Sequence, residues 1–150
     1  MFGGYKSSLA PDRFNRPLSA LSLNTGYYKL PAGNYFPNGE FTVAAWVKLR
    51  AYNWWSRLLD FGPSDSNGVF FALSRDTGNM AFGFRWASFI STNQPLPLNN
   101  WSHLSFVQQS DTITIYVNAT IWTNGSLNAP QSIVRTPNFL GRSLRYSIKI

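Results

Sequence analysis

The side chains in this sequence that could do chemistry are mostly aromatic rings and cations. There are 6 Trp, 7 Tyr and 12 Phe, and 13 Lys plus Arg against 6 Asp plus Glu. Ring faces stack on C–H faces of sugars, and neighbouring cations draw anions. Three places combine such groups. Tyr52-Asn53-Trp54-Trp55 precedes Arg57, in a loop too crowded to bury all three rings. Arg85 and Trp86 stand together at the end of a strand, and Trp122 shares a hairpin with Asn124. The candidate ligand-contacting residues are therefore Tyr52, Asn53, Trp54, Arg57, Arg85, Trp86 and Trp122.

Other chemistries lack their parts. Retaining glycoside hydrolysis needs two carboxyl groups about 5 Å apart. The single glutamate, Glu40, falls in a turn, and the aspartates are dispersed. Asp60 is the best-placed acid by context, and it reads as a structural carboxylate capping backbone near Gly62. His103 is the only histidine and there is no cysteine, so neither a nucleophilic triad nor a zinc site can be assembled. His103 reads as a strand-packing residue. No catalytic residue and no cofactor is expected. The one opening for Ca²⁺ is the loop Ser64-Asp-Ser-Asn-Gly68, where Asp65 and Asn67 offer oxygens, but one carboxylate makes a poor site.

The elements that must position these residues are strands. Period-two alternation recurs, whereas no useful window shows helical periodicity. Phe41, Val43, Ala45, Val47 and Leu49 share one face, opposite Thr42 and Lys48. Residues 111–118 set Ile113, Ile115 and Val117 against Thr112, Thr114 and Tyr116. Residues 80–86 and 102–108 alternate in the same way, with Leu104 and Phe106 opposite His103, Ser105 and Val107. Less regular strands are expected at 19–24, 27–30, 57–61 and 69–74, with short ones at 119–122 and 139–142. Turn signals separate them: Pro37-Asn38-Gly39, Gly62-Pro63-Ser64, Ser66-Asn67-Gly68, Asp76-Thr77-Gly78-Asn79 and Asn124-Gly125. Short strands punctuated this often predict an all-β, two-sheet antiparallel sandwich.

The 150 residues are one domain's worth, enough for a core without disulfides. Residues 1–16 read as a loose leader and residues 17–150 as the domain. The opening Met1-Phe-Gly-Gly-Tyr-Lys6 lacks the apolar run of a signal peptide, and no stretch is long enough for a membrane-spanning helix. A net charge of +7 suits acidic glycans, but the cations are scattered and no nucleic acid is expected. Sequons at Asn100, Asn118 and Asn124 permit glycosylation, in a chain rich enough in Asn, Ser and Thr to produce them by chance.

Several segments, in order, resemble the laminin-G-like jelly rolls of the concanavalin A-like lectin/glucanase superfamily. Glu40-Phe-Thr-Val-Ala-Ala-Trp-Val-Lys48 is similar to the "F-T-x-x-A-W-V-K" strand, and Trp55-Ser-Arg-Leu-Leu-Asp-Phe-Gly62 to "W-x-R-I-x-D-F-G". Leu98-Asn-Asn-Trp-Ser-His103 resembles "L-x-x-W-x-H". Ile115-Tyr-Val-Asn118 resembles "x-Y-V-N-G", with Ala119 in place of Gly, and Val134 to Ser143 resembles "R-x-x-x-x-I-G-R-S". The resemblance implies a jelly roll with Trp46, Trp55 and Trp101 in packing positions. It also implies a closing acidic strand after the "G-R-S" segment. Only Leu144-Arg-Tyr-Ser-Ile-Lys-Ile150 follows here, with Ile148 and Ile150 as a stub of that strand, so the domain is expected to be incomplete at its C-terminus.

What the resemblance implies for function is a non-catalytic carbohydrate-binding, lectin-like module of an extracellular or cell-surface protein, with a carbohydrate or glycoprotein as partner. A laminin-G-type protein–protein adhesion module is the alternative. A glycoside hydrolase is the weaker one, because the E-x-D-x-x-E strand of that branch is missing.

Overall fold

The computed structural model describes residues 4–63, 65–75 and 78–144. Thirteen strands form in that span: β1 (Gly4–Tyr5), β2 (Ser8–Ala10), β3 (Ala20–Ser22), β4 (Tyr27–Leu30), β5 (Phe41–Lys48), β6 (Ser56–Phe61), β7 (Val69–Ser74), β8 (Asn79–Phe84), β9 (Phe89–Pro95), β10 (Trp101–Gln109), β11 (Thr112–Val117), β12 (Thr120–Ser126) and β13 (Asn138–Leu140). A seven-stranded sheet runs β1-β4-β13-β6-β7-β8-β9, a four-stranded sheet runs β12-β11-β10-β5, and β2 pairs with β3 alone. All pairings are antiparallel. This is the expected all-β jelly-roll sandwich. Among the described residues no helix is long and apolar enough to cross a membrane.

Alternation converts directly into layers. On β10, Leu104 and Phe106 are fully buried while Trp101, His103, Ser105 and Val107 face outward. On the neighbouring strand β11 of the same sheet, Ile113, Ile115 and Val117 turn inward beside them. Phe71 of β7 meets Phe82 of β8 at 4.8 Å and Phe106 across the sandwich at 5.2 Å. Such edge and tilted ring pairs contribute roughly 0.5–1.5 kcal/mol each beyond the area they bury.

The two flanks of the sandwich differ. On one, β12 closes on β9, and Gly125 makes the approach possible: a Cβ there would lie 2.7 Å from Ile90 Cδ1. On the other, β5 ends the four-stranded sheet with no further strand partner among the described residues.

The segment read as a loose leader is paired instead. Gly4 and Tyr5 lie opposite Tyr28 and Tyr27, and Ser8, Leu9 and Ala10 opposite Ser22, Leu21 and Ala20. Strands of two and three residues are too short to show a period. What fixes the β2–β3 loop is Asp12, whose Oδ1 accepts from the Phe14 and Arg16 backbone N–H groups while Oδ2 accepts from Arg16 Nε. Strand β9 is not among the strands expected from the sequence, since Ser91-Thr92-Asn93-Gln94-Pro95 shows no apolar alternation. It is an edge strand, where polar residues and Pro are tolerated. The turn at Asp76 and Thr77, Ser64 of the calcium loop and the stub at Ile148 and Ile150 lie outside the described residues.

Candidate functional site

The outer face of the four-stranded sheet presents side chains in rows fixed by the pairing register. Lys48 pairs with Trp101, and Trp46 with His103. The next row is Ala44, Ser105, Tyr116 and Ile121 across all four strands. The Trp46 and His103 rings lie 5.2 Å apart, and the Arg13 guanidinium sits 4.3 Å over the indole. Trp46 is nonetheless 44% exposed. Ala44 and Ser105, the small members of that row, lie next to the Trp46–His103 row. A flat, strand-borne indole with donors around it can stack on a sugar ring and hydrogen-bond its hydroxyls.

Beside this face a cleft of about 810 Å³ opens between β3 and β5. Leu58, Leu73 and Leu140 of the seven-stranded sheet form part of its apolar lining, and Arg13, Lys48, Arg50 and Trp101 also line it. Arg50 Nη2 donates to Ser22 Oγ at 3.1 Å, linking the loop after β5 to β3. One carboxylate, Asp12, lines the cleft, and it is held by Arg16 at 2.5 Å. The hydrogen bond from Arg16 keeps the Asp12 carboxyl below its ordinary range, outweighing the opposing effect of desolvation.

The seven-stranded sheet carries a closed outer layer. Phe70, Ala72 and Ala81 are buried there with Trp55 packed against them. Arg57 lies 4.9 Å from Trp55 and 4.4 Å from Phe70, and Arg75 bridges Trp55 and Phe89. Asp60, fully buried, is ion-paired with Arg85 through Oδ1 and with Arg57 through Oδ2 at 3.5 Å, and its Oδ2 accepts from the Leu144 N–H. Burial pushes the Asp60 carboxyl up, against the downward pull of Arg85 and Arg57.

The sequence-derived candidates therefore separate. Asn53 lines the cleft. Tyr52 is 43% exposed, with its hydroxyl donating to the Leu96 carbonyl at 2.6 Å, and Trp54 is 48% exposed on the same loop. Trp86, 63% exposed, marks the β8–β9 turn with a positive φ of 63°. Arg57 and Arg85 are both buried around Asp60, Arg57 also reaching the lining of the cleft beside Asn53, and Arg85 Nη1 donates to the Pro63 carbonyl. Trp122 also turns away from solvent. A register shift in the β11–β12 pairing lets it pack against the core.

Asp60 is structural, as its context suggested, but it caps Leu144; the Gly62 N–H goes to Asn138 Oδ1 and the Pro137 carbonyl. In the calcium loop, Asp65 Oδ1 accepts from the Asn67 N–H, and the Asn67 carbonyl accepts from Arg135 Nε. Among the described residues no three His, Cys, Asp or Glu cluster as a metal site would require.

Of the three tryptophans expected in packing positions, Trp55 packs, but on the outside of a sheet, while Trp46 and Trp101 sit on the open face. The signal for Trp46 was present in the alternation: Thr42 and Lys48 share its side of β5. No residue-type pattern marks Arg13, which reaches Trp46 only through the Asp12 turn.

No curated protein matches the sequence. Among solved structures, domain 4 of AbnA, a GH43 extracellular arabinanase from Geobacillus stearothermophilus in complex with arabinotriose, superposes with a TM-score of 0.70 at 18% identity, over 91% of this chain and 66% of that one. A putative carbohydrate binding protein from Bacteroides ovatus gives 0.58 at 14% identity, over 77% of this chain and 35% of that chain. Mouse laminin alpha1 domains LG4-5 give 0.54 at 16% identity, over 77% and 31% respectively. The chain thus spans under two thirds of each of these structures, and at such identities the likeness is one of fold. The family model described as the concanavalin A-like lectin/glucanases superfamily matches residues 22–147. By that match and by its sandwich, the chain belongs to the concanavalin A-like lectin/glucanases superfamily.

Proposed function

We propose that the chain is a non-catalytic carbohydrate-binding module of an extracellular or cell-surface protein, and that it binds sugar on the outer face of the four-stranded sheet. The observation that carries this reading is Trp46, nearly half exposed on a rigid central stretch of β5, with His103 beside it and Arg13 above it. Sugar C–H faces stack on such a ring, and the small side chains of Ala44 and Ser105 stand beside it in the next row. Arg13 and Lys48 favour a saccharide carrying carboxylate or sulfate groups. Two of the structural neighbours bear names that concern carbohydrate, which supports testing that ligand class first.

The non-catalytic part of the reading rests on how the acids are used. Asp60 is buried among arginines, Asp12 is tied to Arg16, and Glu40 Oε1 accepts from the Ser110 N–H. The test is a glycan array probed with the folded chain, in calcium and in EDTA. Saturable binding abolished by Trp46→Ala, with the fold intact by circular dichroism, is the expected result. Binding unchanged by that substitution would move the site off this face, and loss in EDTA would reinstate calcium.

Adhesion to a protein partner, in the manner of laminin-G domains, is the second reading. It is favoured by the β2–β3 hairpin, where Leu9, Phe14, Leu18 and Leu21 are all exposed. A folded chain that binds no glycan on the array would support it.

A further inference from the structure

The outer face of the four-stranded sheet carries a second ring that the carbohydrate reading leaves unused. Tyr116 of β11 lies in the row of Ala44 and Ser105, next to the Trp46–His103 row. It faces outward between Ile115 and Val117, which turn into the core, and it is half-buried. Its ring pairs with no other ring, and its hydroxyl makes no hydrogen bond among the described residues. Trp46 and Tyr116 stand on β5 and β11, with β10 between them. The spacing of neighbouring strands and the rise along them set the two Cα atoms about 12 Å apart on the diagonal. One sugar ring cannot touch both, whereas a short run of linked sugars can. The diagonal passes between His103 and Ser105 of β10, and neither side chain makes a hydrogen bond among the described residues. Beyond Tyr116 the next row is Thr42, Val107, Thr114 and Asn124. No carboxylate stands in any of these rows, and the one lysine, Lys48, pairs with Trp101 at the Trp46 end.

We infer that Trp46 and Tyr116 are two platforms of one site, whose ligand is an unbranched polysaccharide bound along an internal stretch. The terminal sugar of a branched glycan is not its epitope. The inference rests on the carbohydrate reading and deepens it. Each ring stacks on the C–H face of a different sugar, and His103 and Ser105 hydrogen-bond the hydroxyls between them. A chain end is recognised by polar groups converging on one sugar in a concave pocket. Here the contacting groups are spread over three strands of one sheet face, in the order β5, β10, β11. Joining two weak contacts through one ligand makes the second contact intramolecular, so affinity grows with chain length until both rings are covered.

The test is calorimetric titration of the full chain with two linear ladders, oligogalacturonides and xylo-oligosaccharides, each from the monosaccharide to the hexasaccharide. Affinity should rise at least about tenfold from disaccharide to tetrasaccharide and then level off. Either ladder showing this dependence supports the inference, and the acidic one should bind more tightly, since Arg13 lies over Trp46 and Lys48 stands in the next row. Tyr116→Ala should bring the tetrasaccharide down to the affinity of the disaccharide. Tyr116→Phe keeps the ring and should preserve the length dependence, while Trp46→Ala should abolish binding of every member. The length dependence of the unaltered chain decides the point even if Tyr116→Ala fails to fold. A tetrasaccharide bound no more tightly than the disaccharide would overturn the inference. So would an equal loss for every ladder member in Tyr116→Ala, or no binding of either ladder. Trp46-dependent hits on the glycan array that persist beside such a result keep the carbohydrate reading and move its epitope to a terminal sugar. An array without hits removes both.

Discussion

Over the seven-stranded sheet, Trp55 covers Phe70, Ala72 and Ala81, arginines fill the gaps between the rings, and Asp60 sits beneath them fully buried. Over the four-stranded sheet, Trp46 has an arginine above it and a histidine beside it and is still 44% exposed. Both faces use the same residue types. The difference lies in the carboxylate. Asp60 gives Arg57 and Arg85 a counter-charge, which makes their burial tolerable, and the layer closes. Among the described residues Arg13 meets no acid, Asp12 being paired with Arg16, and its guanidinium rests on the indole at the surface. One face closes over its arginines, and the other keeps its indole open to solvent.

The largest expected effect comes from breaking the closed face at its charge. Asp60→Asn keeps the shape and removes the carboxylate charge that Arg57 and Arg85 share, which should cost about 3–5 kcal/mol in urea unfolding. A loss below about 1 kcal/mol would mean that water already screens the layer, and the contrast between the faces would collapse. The paired comparison of tryptophans is next. Trp55→Ala should cost about 2–3 kcal/mol, because it opens a partly buried ring site. Trp46→Ala should cost within about 1 kcal/mol and act on ligand binding instead. Equal destabilisation by the two would remove the distinction between a packing face and a binding face.

A smaller effect is expected at the hairpin that ends the open face. Asn118 and Ala119 both have positive φ, 49° and 65°. Asn tolerates this region, while Ala carries the Cβ penalty there. Ala119→Gly should therefore gain roughly 0.5 kcal/mol in thermal unfolding, the relief exceeding the added chain entropy. The smallest effect belongs to Asp12. Its carboxyl titrates lower folded than unfolded, so its contribution is fully present above the unfolded value and is lost as pH falls through the folded one. As pH falls below the ordinary carboxylate range, the amide resonances of Phe14 and Arg16 should shift and broaden, while those of β10 hold. Simultaneous loss of both sets would show that the hairpin is no separate unit.

Much of this architecture can be read from alternation. β5, β10 and β11 each show a clean inward and outward set, and their faces are the ones the sequence predicts. The same alternation places Trp46 outward with Thr42 and Lys48. Family resemblance, which implies a packing role for that ring, pulls the other way, and the local pattern holds. What alternation cannot carry is anything set by long-range partners. Arg57 and Arg85 look like surface cations until Asp60, 25 residues from Arg85 in sequence, is seen to bind both. β1 and β2 are too short to have a period, and β9 is an edge strand whose polar residues show no apolar alternation. The cleft at β5 follows from strand order alone.

The register of the open face has a practical corollary for how the protein is produced. Asn118, whose Oδ1 accepts from the His103 N–H, lies opposite His103 at the end of the Trp46 row, and Asn124 pairs with Thr114 two rows away. Both head sequons. Material from a host that attaches N-glycans could carry branched sugar directly over the indole and shield it from any ligand added later, whereas material from a non-glycosylating host keeps that ring bare. The same polypeptide would then score as active or inert according to the cell that made it, with Asn118→Gln and Asn124→Gln restoring agreement between the two preparations.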